Sequence, residues 1–325
     1  MLNNQLMAKD SDSLMHQKLA KELLDSSIKK GYIAPSYLFS GPKGVGQEEM
    51  AIHFLSNLSN NYIKKLGRKE RLQKFNHPDL LWIEPTFIHE NKQIKESIAK
   101  SQGISNKSSS KIRLEQIKEI KRFLANKPIE SSHGMIVIED AEKMNESASN
   151  ALLKTLEEPM NGLIILISSQ TEKLLSTIKS RCQEIPFKGL GYKSMKKEFK
   201  QYTDISSILH YEEILLSLSN GSPKLLTENI EYFQEVPNTI FKSIEELSQN
   251  NLESLDLAKT ITDELNLEYQ LWLVKFLQQK YWDIDHNIIV LNRLDKLYKQ
   301  ISSSIQPRIA WEIALIELTR SLSTD

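Results

Sequence analysis

The sequence predicts a two-part protein: an α/β unit with a mostly parallel sheet between helices, then an all-helical tail. Three observations predict it. Short apolar runs alternate with helical patterns over the first 190 or so residues, the strand–helix alternation of a parallel layer fold. Most of these runs are continuously apolar, as expected for strands covered on both faces. Beyond about residue 190 the strand signals stop and helical spacing takes over.

The expected strands are Tyr37–Phe39, Leu80–Ile83, Met135–Ile138 and Leu163–Ile167, with Glu184–Phe187 a weaker fifth. Helical stretches fall at roughly 14–30, 46–65, 114–126 and 146–158. The last can be read closely. Asn145 is a good N-cap, and Ala148, Ala151, Leu152 and Leu156 share one face, widened by Leu153. Pro159 ends it, because the residue before a proline is pushed out of helical geometry. The stretch "KSQGISNKSSSKIR" (100–113) has no aromatic residue and few apolar anchors, so a solvated surface loop is expected. In the tail, helical segments are broken at Gly221, Pro223, Pro237 and Pro307. "NLEYQLWLVKFLQQKYW" places Leu267, Leu271, Leu273, Val274 and Leu277 on a broad apolar face. Such a tail could form its own bundle, an oligomerisation surface, or both.

Composition bounds the function. A chain of 325 residues predicts two or three domains. Lys plus Arg and Asp plus Glu number 42 each, so no global field draws the protein to nucleic acid or membrane, and any DNA contact must be local or belong to partners. A single cysteine, Cys182, cannot build an internal disulfide framework or a multi-cysteine zinc site. The N-terminal "MLNNQLMAKDSDSLMHQ" lacks the apolar run of a signal peptide, and no stretch approaches the ~18 apolar residues of a membrane span. A cytoplasmic protein is expected.

Three motifs suggest chemistry. In "SGPKGVGQEEM" (40–50), Gly41, Gly44 and Gly46 follow an apolar run and precede a helix. That arrangement presents backbone N–H groups and a positive dipole end to an anion. A phosphate-cradling loop reads G-x-x-x-x-G-K-[ST]. Here Gln47 stands in the lysine position and Glu48 in the hydroxyl position. In "GMIVIEDAEKMN", an apolar strand ends in acidic residues. Asp140 fits a metal-associated position, while Ala141 stands where a water-polarising glutamate would be. In "LIILISSQTEKLLSTIKSRCQEIPF", Ser168 and Ser169 follow a strand at the edge where α/β sheets place ligand contacts. Arg181, between Ser180 and Cys182, offers a planar fork of donors suited to phosphate, although a surface ion pair would use the same residue. Cys182 reads as a small buried hydrophobe.

Taken together, "NALLKTLEEP" (150–159), "IEDAEKM" (138–144), "HPDLLWIEP" (77–85) and "SRCQ" (180–183) resemble the AAA+ clamp-loader family. The resemblance is sharpest over residues 36–188 and looser through the tail. It implies a P-loop NTPase-like α/β domain over 1–188, a small helical lid over 189–232 and a helical collar over 233–325. It also implies a ring of five subunits, with gamma/tau-type ATPases and a delta subunit as neighbours. That ring loads a sliding clamp onto primer–template DNA and belongs to the DNA polymerase III holoenzyme. Among its members this chain is similar to the rigid one that does not hydrolyse ATP itself. On that resemblance Arg181 would reach the ATP of a neighbour in trans, with Ser180 and Cys182 supporting it. Asp140 and Ser169 would be vestigial. Lys224, in "NGSPKLL", stands where active members carry a sensor arginine. Many members carry four zinc-binding cysteines before "HPD". "NYIKKLGRKERLQKFNHPD" has none, which leaves His77 as a loop or capping residue and no zinc.

Magnitudes favour a chain without its own ATPase. Charge-assisted contacts contribute about 1.5–3 kcal/mol each. Losing the lysine and hydroxyl would weaken ATP binding roughly 10²–10⁴-fold, so no bound cofactor is expected. Two alternatives stay open at this level: an active ATPase with a variant loop, and a DNA-binding adaptor using loop 100–113.

Overall fold

The computed structural model describes residues 16–60, 71–72, 76–89, 92–101, 110–200, 209–245, 251–285, 287–303 and 306–321. The chain divides into two compact units, one ending at Leu190 and one beginning at Gly191.

The first unit runs α1 (Lys18–Lys30), β1 (Ser36–Ser40), α2 (Gln47–Asn60), β2 (Leu80–Ile83), β3 (Thr86–His89) and β4 (Lys92–Lys95). It continues with α3 (Glu96–Ser101), α4 (Leu114–Leu124), β5 (Gly134–Ile138), α5 (Glu146–Glu157), β6 (Gly162–Ser168), α6 (Ser176–Lys179) and β7 (Gln183–Pro186). All five expected strands are present, and they form one parallel sheet in the order β2-β5-β6-β1-β7. β1 therefore lies between β6 and β7, while the chain leaving it goes to the far edge. The loop after β1 sits at a reversal of strand order, where open α/β sheets place their ligand crevice.

Both faces of the sheet are covered, which accounts for the continuous apolar strands. Tyr37, Phe39, Val137, Ile165 and Ile167 pack with Met50, Phe54 and Leu55 of α2 on one side. Leu38, Ile136, Ile138, Ile164 and Leu166 pack with Ile117, Ile120, Leu152 and Leu156 of α4 and α5 on the other. Asn145 caps α5 as expected, its side chain accepting from the Ala148 N–H at 2.9 Å. Asp79 of "HPD" has a structural task. Its carboxylate accepts from the N–H groups of Ile129, Glu130 and Ser131, each at 2.7 Å, and from Ser131 Oγ at 2.9 Å. Burial would raise its pKa, but these donors outweigh burial and hold it below the ordinary carboxylate value. His77 lies beside it, Nδ1 accepting from the Asp79 N–H.

One feature was missing from the sequence reading. Thr86–His89 and Lys92–Lys95 pair antiparallel as a separate two-stranded hairpin. Of the expected loop 100–113, residues 102–109 lie outside those described, as do residues 61–65 of the expected second helix.

The second unit is helical in its described residues: α7 (Tyr192–Phe199), α8 (Glu212–Leu218), α9 (Pro223–Glu235), α10 (Asn238–Glu245), α11 (Asn251–Glu264), α12 (Leu267–Asp285), α13 (Ile288–Ser302) and α14 (Pro307–Ser321). The apolar face expected for α12 is present and wider than its leucines alone. Leu273, Val274 and Leu277 are buried, but Leu267 and Leu271 are only half-buried. The large buried side chains there are Trp272 and Phe276. Phe276 joins a ring cluster with Phe233, Phe241 and Tyr211. The aromatic rings share the interior with Leu273, Val274 and Leu277. A buried polar chain links three helices: Trp272 Nε1 donates to Asn229 Oδ1 at 3.0 Å, and Asn229 Nδ2 donates to Ser219 Oγ at 3.1 Å.

Candidate functional site

The loop 41–47 is shaped by close contact as well as by turning. Gly41, Gly44 and Gly46 all have positive φ, at 147°, 72° and 106°. At Gly41 a Cβ would lie 2.3 Å from the Phe187 carbonyl oxygen, because the chain leaving β7 passes over the loop. Only glycine fits there. Gln17, before α1, adds a clamp that the sequence did not reveal. Its Nε2 donates to Val45 O at 3.1 Å and Lys188 O at 2.7 Å, and its Oε1 accepts from the Lys188 N–H.

The residues that replace the phosphate contacts are occupied within the chain. Gln47 is almost fully buried. Its Nε2 donates to the carbonyls of Gly41 at 3.0 Å and Pro42 at 2.8 Å, bracing the loop from inside. Asp140, at the end of β5, takes a left-handed conformation with φ 47° that aspartate tolerates better than most residues. Its Oδ2 pairs with Lys43 Nζ at 2.7 Å and Lys143 Nζ at 2.9 Å. Lys143 also pairs with Glu96 at 2.8 Å, and Ser110 Oγ donates to the same Glu96 oxygen at 2.6 Å. A charge relay thus runs from the loop, through the end of β5, to the segment after the hairpin. Burial would raise the Asp140 and Glu96 carboxyls, but the lysines outweigh it: Lys43 and Lys143 on Asp140, chiefly Lys143 on Glu96, where Ser110 adds its hydroxyl. Both stay below their ordinary values. Burial would lower Lys143, yet Asp140 and Glu96 raise it.

Two neighbouring carboxylates are hydrogen-bonded within the chain, Glu139 while also lining the cleft beside the loop. Glu139 accepts from the Trp82 indole N–H at 3.2 Å. Glu142 accepts from Ser169 Oγ at 2.7 Å, so Ser169 is also engaged within the chain. Lys43, Gln47, Glu48, Asp140 and Ser169 are brought together around a cleft of about 10 Å³, at the lower limit for a single water. Ala141 is buried and carries no acid–base group. The sequence reading missed Lys43. Its signal was one cation inside a glycine loop, four places before the position where a cation was sought.

Arg181 does not line this cleft. It follows α6 at the surface, where Nη2 donates to Glu157 Oε1 at 2.6 Å and Nη1 to the Thr177 carbonyl at 2.9 Å. Ser180 Oγ shares that carbonyl at 3.1 Å. Cys182 is partly buried against the core cluster of α4, α5 and the sheet, and burial pushes its thiol up to about 12. Lys224 lies in the second unit, exposed in the first turn of α9, which Ser222 caps by accepting from the Leu225 N–H. Among the described residues, no group of three or more His, Cys, Asp or Glu is gathered to hold a metal ion, and no helix is long and apolar enough to cross a membrane.

Comparisons with known proteins agree with this architecture. A family model described as "DNA polymerase III, delta subunit" matches residues 16–191, and one described as "Cyanobacterial DNA polymerase III delta prime, C-terminal domain" matches residues 193–318. The chain is 29% identical over 241 residues to DNA polymerase III subunit delta' of Bacillus subtilis, covering 72% of this chain and 65% of that protein. It is 31% identical over 199 residues to the Pseudomonas aeruginosa delta' subunit, covering 58% and 54%. The matches thus span between about half and two thirds of these relatives' own length. A DNA polymerase III gamma subunit-related protein of Thermotoga maritima has the same fold, with a TM-score of 0.51 and 17% identity over 93% of this chain and 99% of that one. On these matches, the chain belongs to the DNA polymerase III delta-subunit family, of the delta-prime type.

Proposed function

We propose that the chain is a non-hydrolysing subunit of the DNA polymerase III clamp loader, helping to place the sliding clamp on primed DNA. It lends Arg181 in trans to ATP held by a gamma/tau-type neighbour. One observation carries this reading: the chain's own phosphate loop is filled by its own side chains. Gln47 braces the carbonyls of Gly41 and Pro42, and Lys43 and Lys143 neutralise the carboxylate of Asp140. The residues present do not fit a magnesium nucleotide. Glu48 adds negative charge at the loop, and Asp140 already has two cations.

Arg181 offers the contrasting chemistry. It is at the surface, permanently charged, and built to grip phosphate oxygens. An arginine given to a neighbour's site stabilises charge developing on the transferred phosphoryl group and can raise the rate about 10³–10⁵-fold. In this reading the α/β unit is a stator. The second unit comprises a lid to residue 232 and a collar from 233 that joins the chain to the ATPase subunits and a delta subunit in a cytoplasmic five-membered ring.

The test is Arg181→Ala in the reconstituted complex, measured as DNA-stimulated ATP hydrolysis. A fall of about 10³-fold at the site served by this chain is expected. An unchanged total rate, with ring assembly intact, would sink the trans role.

A further inference from the structure

Glu157 is the last residue of α5, and Glu158 follows as the C-cap. Two carboxylates there oppose the helix dipole, whose C-terminal end favours cations. Helix propensity therefore gives no reason for Glu157. A tertiary contact does. Arg181, 24 residues further along the chain, places Nη2 against Glu157 Oε1 at 2.6 Å. Its other terminal nitrogen is held by the Thr177 carbonyl at 2.9 Å. A guanidinium carries five N–H donors in a rigid plane. With two corners fixed, the remaining donors keep one orientation, and the arginine side chain is still 34% exposed.

The pair is a poor stabilising device, because Glu157 is itself half-exposed, at 51% of its side chain, and exposed ion pairs hold a fold only weakly. Its consequence is orientation. A long side chain that would otherwise sample many rotamers is set in one of them before any ligand arrives.

We infer that Glu157 is a positioning residue for Arg181: with the Thr177 carbonyl, it holds the guanidinium so that its outer N–H edge meets the phosphate oxygens of a nucleotide on a neighbouring subunit. This rests on the trans role proposed above. Because the pair is exposed and weak, a polyphosphate can share or replace the carboxylate without a large penalty.

The experiment uses the full reconstituted complex, with clamp and primed DNA, and determines kcat and KM for ATP separately. At the site served by Arg181, read as the part of the turnover that Arg181→Ala removes, Glu157→Ala lowers kcat about 10-fold with KM within about two-fold, the pattern of a misplaced transition-state contact. Glu157→Gln, whose amide oxygen still accepts the Arg181 N–H, recovers to within about three-fold of the unaltered rate. Adding Glu157→Ala to Arg181→Ala causes no further fall, since both act through one group. The urea midpoint of Glu157→Ala stays level or rises, because an adverse charge leaves the helix end. An unaltered kcat for Glu157→Ala, while Arg181→Ala is slow, overturns the positioning role and leaves the trans role standing. A raised kcat for Glu157→Ala, or no recovery with Gln, also overturns it. An unaltered rate for Arg181→Ala removes the trans role, and this inference with it.

Discussion

Two charged clusters lie in the first unit, and they are built in opposite ways. Around the loop 41–47 the polar groups turn inward: Gln47 to the loop's own carbonyls, Lys43 to Asp140, Ser169 to Glu142. Around Arg181 they lie at the surface, and the guanidinium is held at one side only. The first cluster has the economy of a structural joint, with each charge matched by a partner of the same chain. The second keeps hydrogen-bonding capacity that no described residue uses. A glycine loop can thus keep its backbone turn while its side chains pair within the chain, because glycine geometry and side-chain chemistry are separable requirements.

Substitutions should separate the two clusters by what they damage. The largest effect on activity is expected at Arg181: Arg181→Ala should slow ATP hydrolysis about 10³-fold at the one site this chain serves, yet change the urea stability of the isolated chain by less than about 1 kcal/mol. Gly41→Ala should do the reverse. Its Cβ would meet the Phe187 carbonyl at 2.3 Å in a backbone conformation with φ 147°, costing about 2–5 kcal/mol of folding stability through strain and overpacking. A Gly41→Ala chain of unaltered stability would mean that the loop is not the joint described.

Asp140→Asn should cost about 1–3 kcal/mol at neutral pH, since it leaves two lysines facing a neutral group. The pH dependence has a definite sign. Asp140 and Glu96 lie below their ordinary values of 3.8 and 4.5. Their contribution is therefore present above that range and lost as pH falls through the depressed values. Lys143 lies above its ordinary 10.5, so its share holds through neutral pH and is lost only as pH rises past the raised value. The stability gap between the unaltered chain and Asp140→Asn should accordingly narrow as urea titrations move from pH 7 toward pH 3. A gap independent of pH would show that the relay contributes no charge stabilisation. The smallest effect concerns Cys182. With its thiol pushed up to about 12, alkylation at pH 8 should run about 10²–10³-fold slower than for a free thiol, and Cys182→Ala should leave complex activity within about two-fold.

The sheet was legible because its evidence is local. The inner strands β5, β6 and β1 are buried at every position and so read as apolar runs, and Asn145 and Pro159 mark the ends of α5 within a few residues of sequence. The hairpin was not legible for the opposite reason. Lys92–Lys95 is mostly exposed, so neither an apolar run nor a clean alternation announces it. At the candidate site, the sequence located the loop, Asp140 and Arg181, but not the groups that complete them. Lys43 meets Asp140 across 97 residues, and Gln17 meets Lys188 across 171. A single sequence carries no signal for such pairs. Glu157 lies within "NALLKTLEEP", yet only the geometry ties it to Arg181. In α12 the leucine pattern gave only part of the core, because Trp272 and Phe276 are buried beside Leu273, Val274 and Leu277.

The central claim is that this chain holds no nucleotide of its own and serves the nucleotide of another. Calorimetric titration of the purified full-length chain with ATP and Mg²⁺ tests it most directly. The expected result is no saturable heat at micromolar concentrations, with any affinity roughly 10²–10⁴-fold below that of an intact phosphate loop. Micromolar binding that disappears on Asp140→Asn would contradict it.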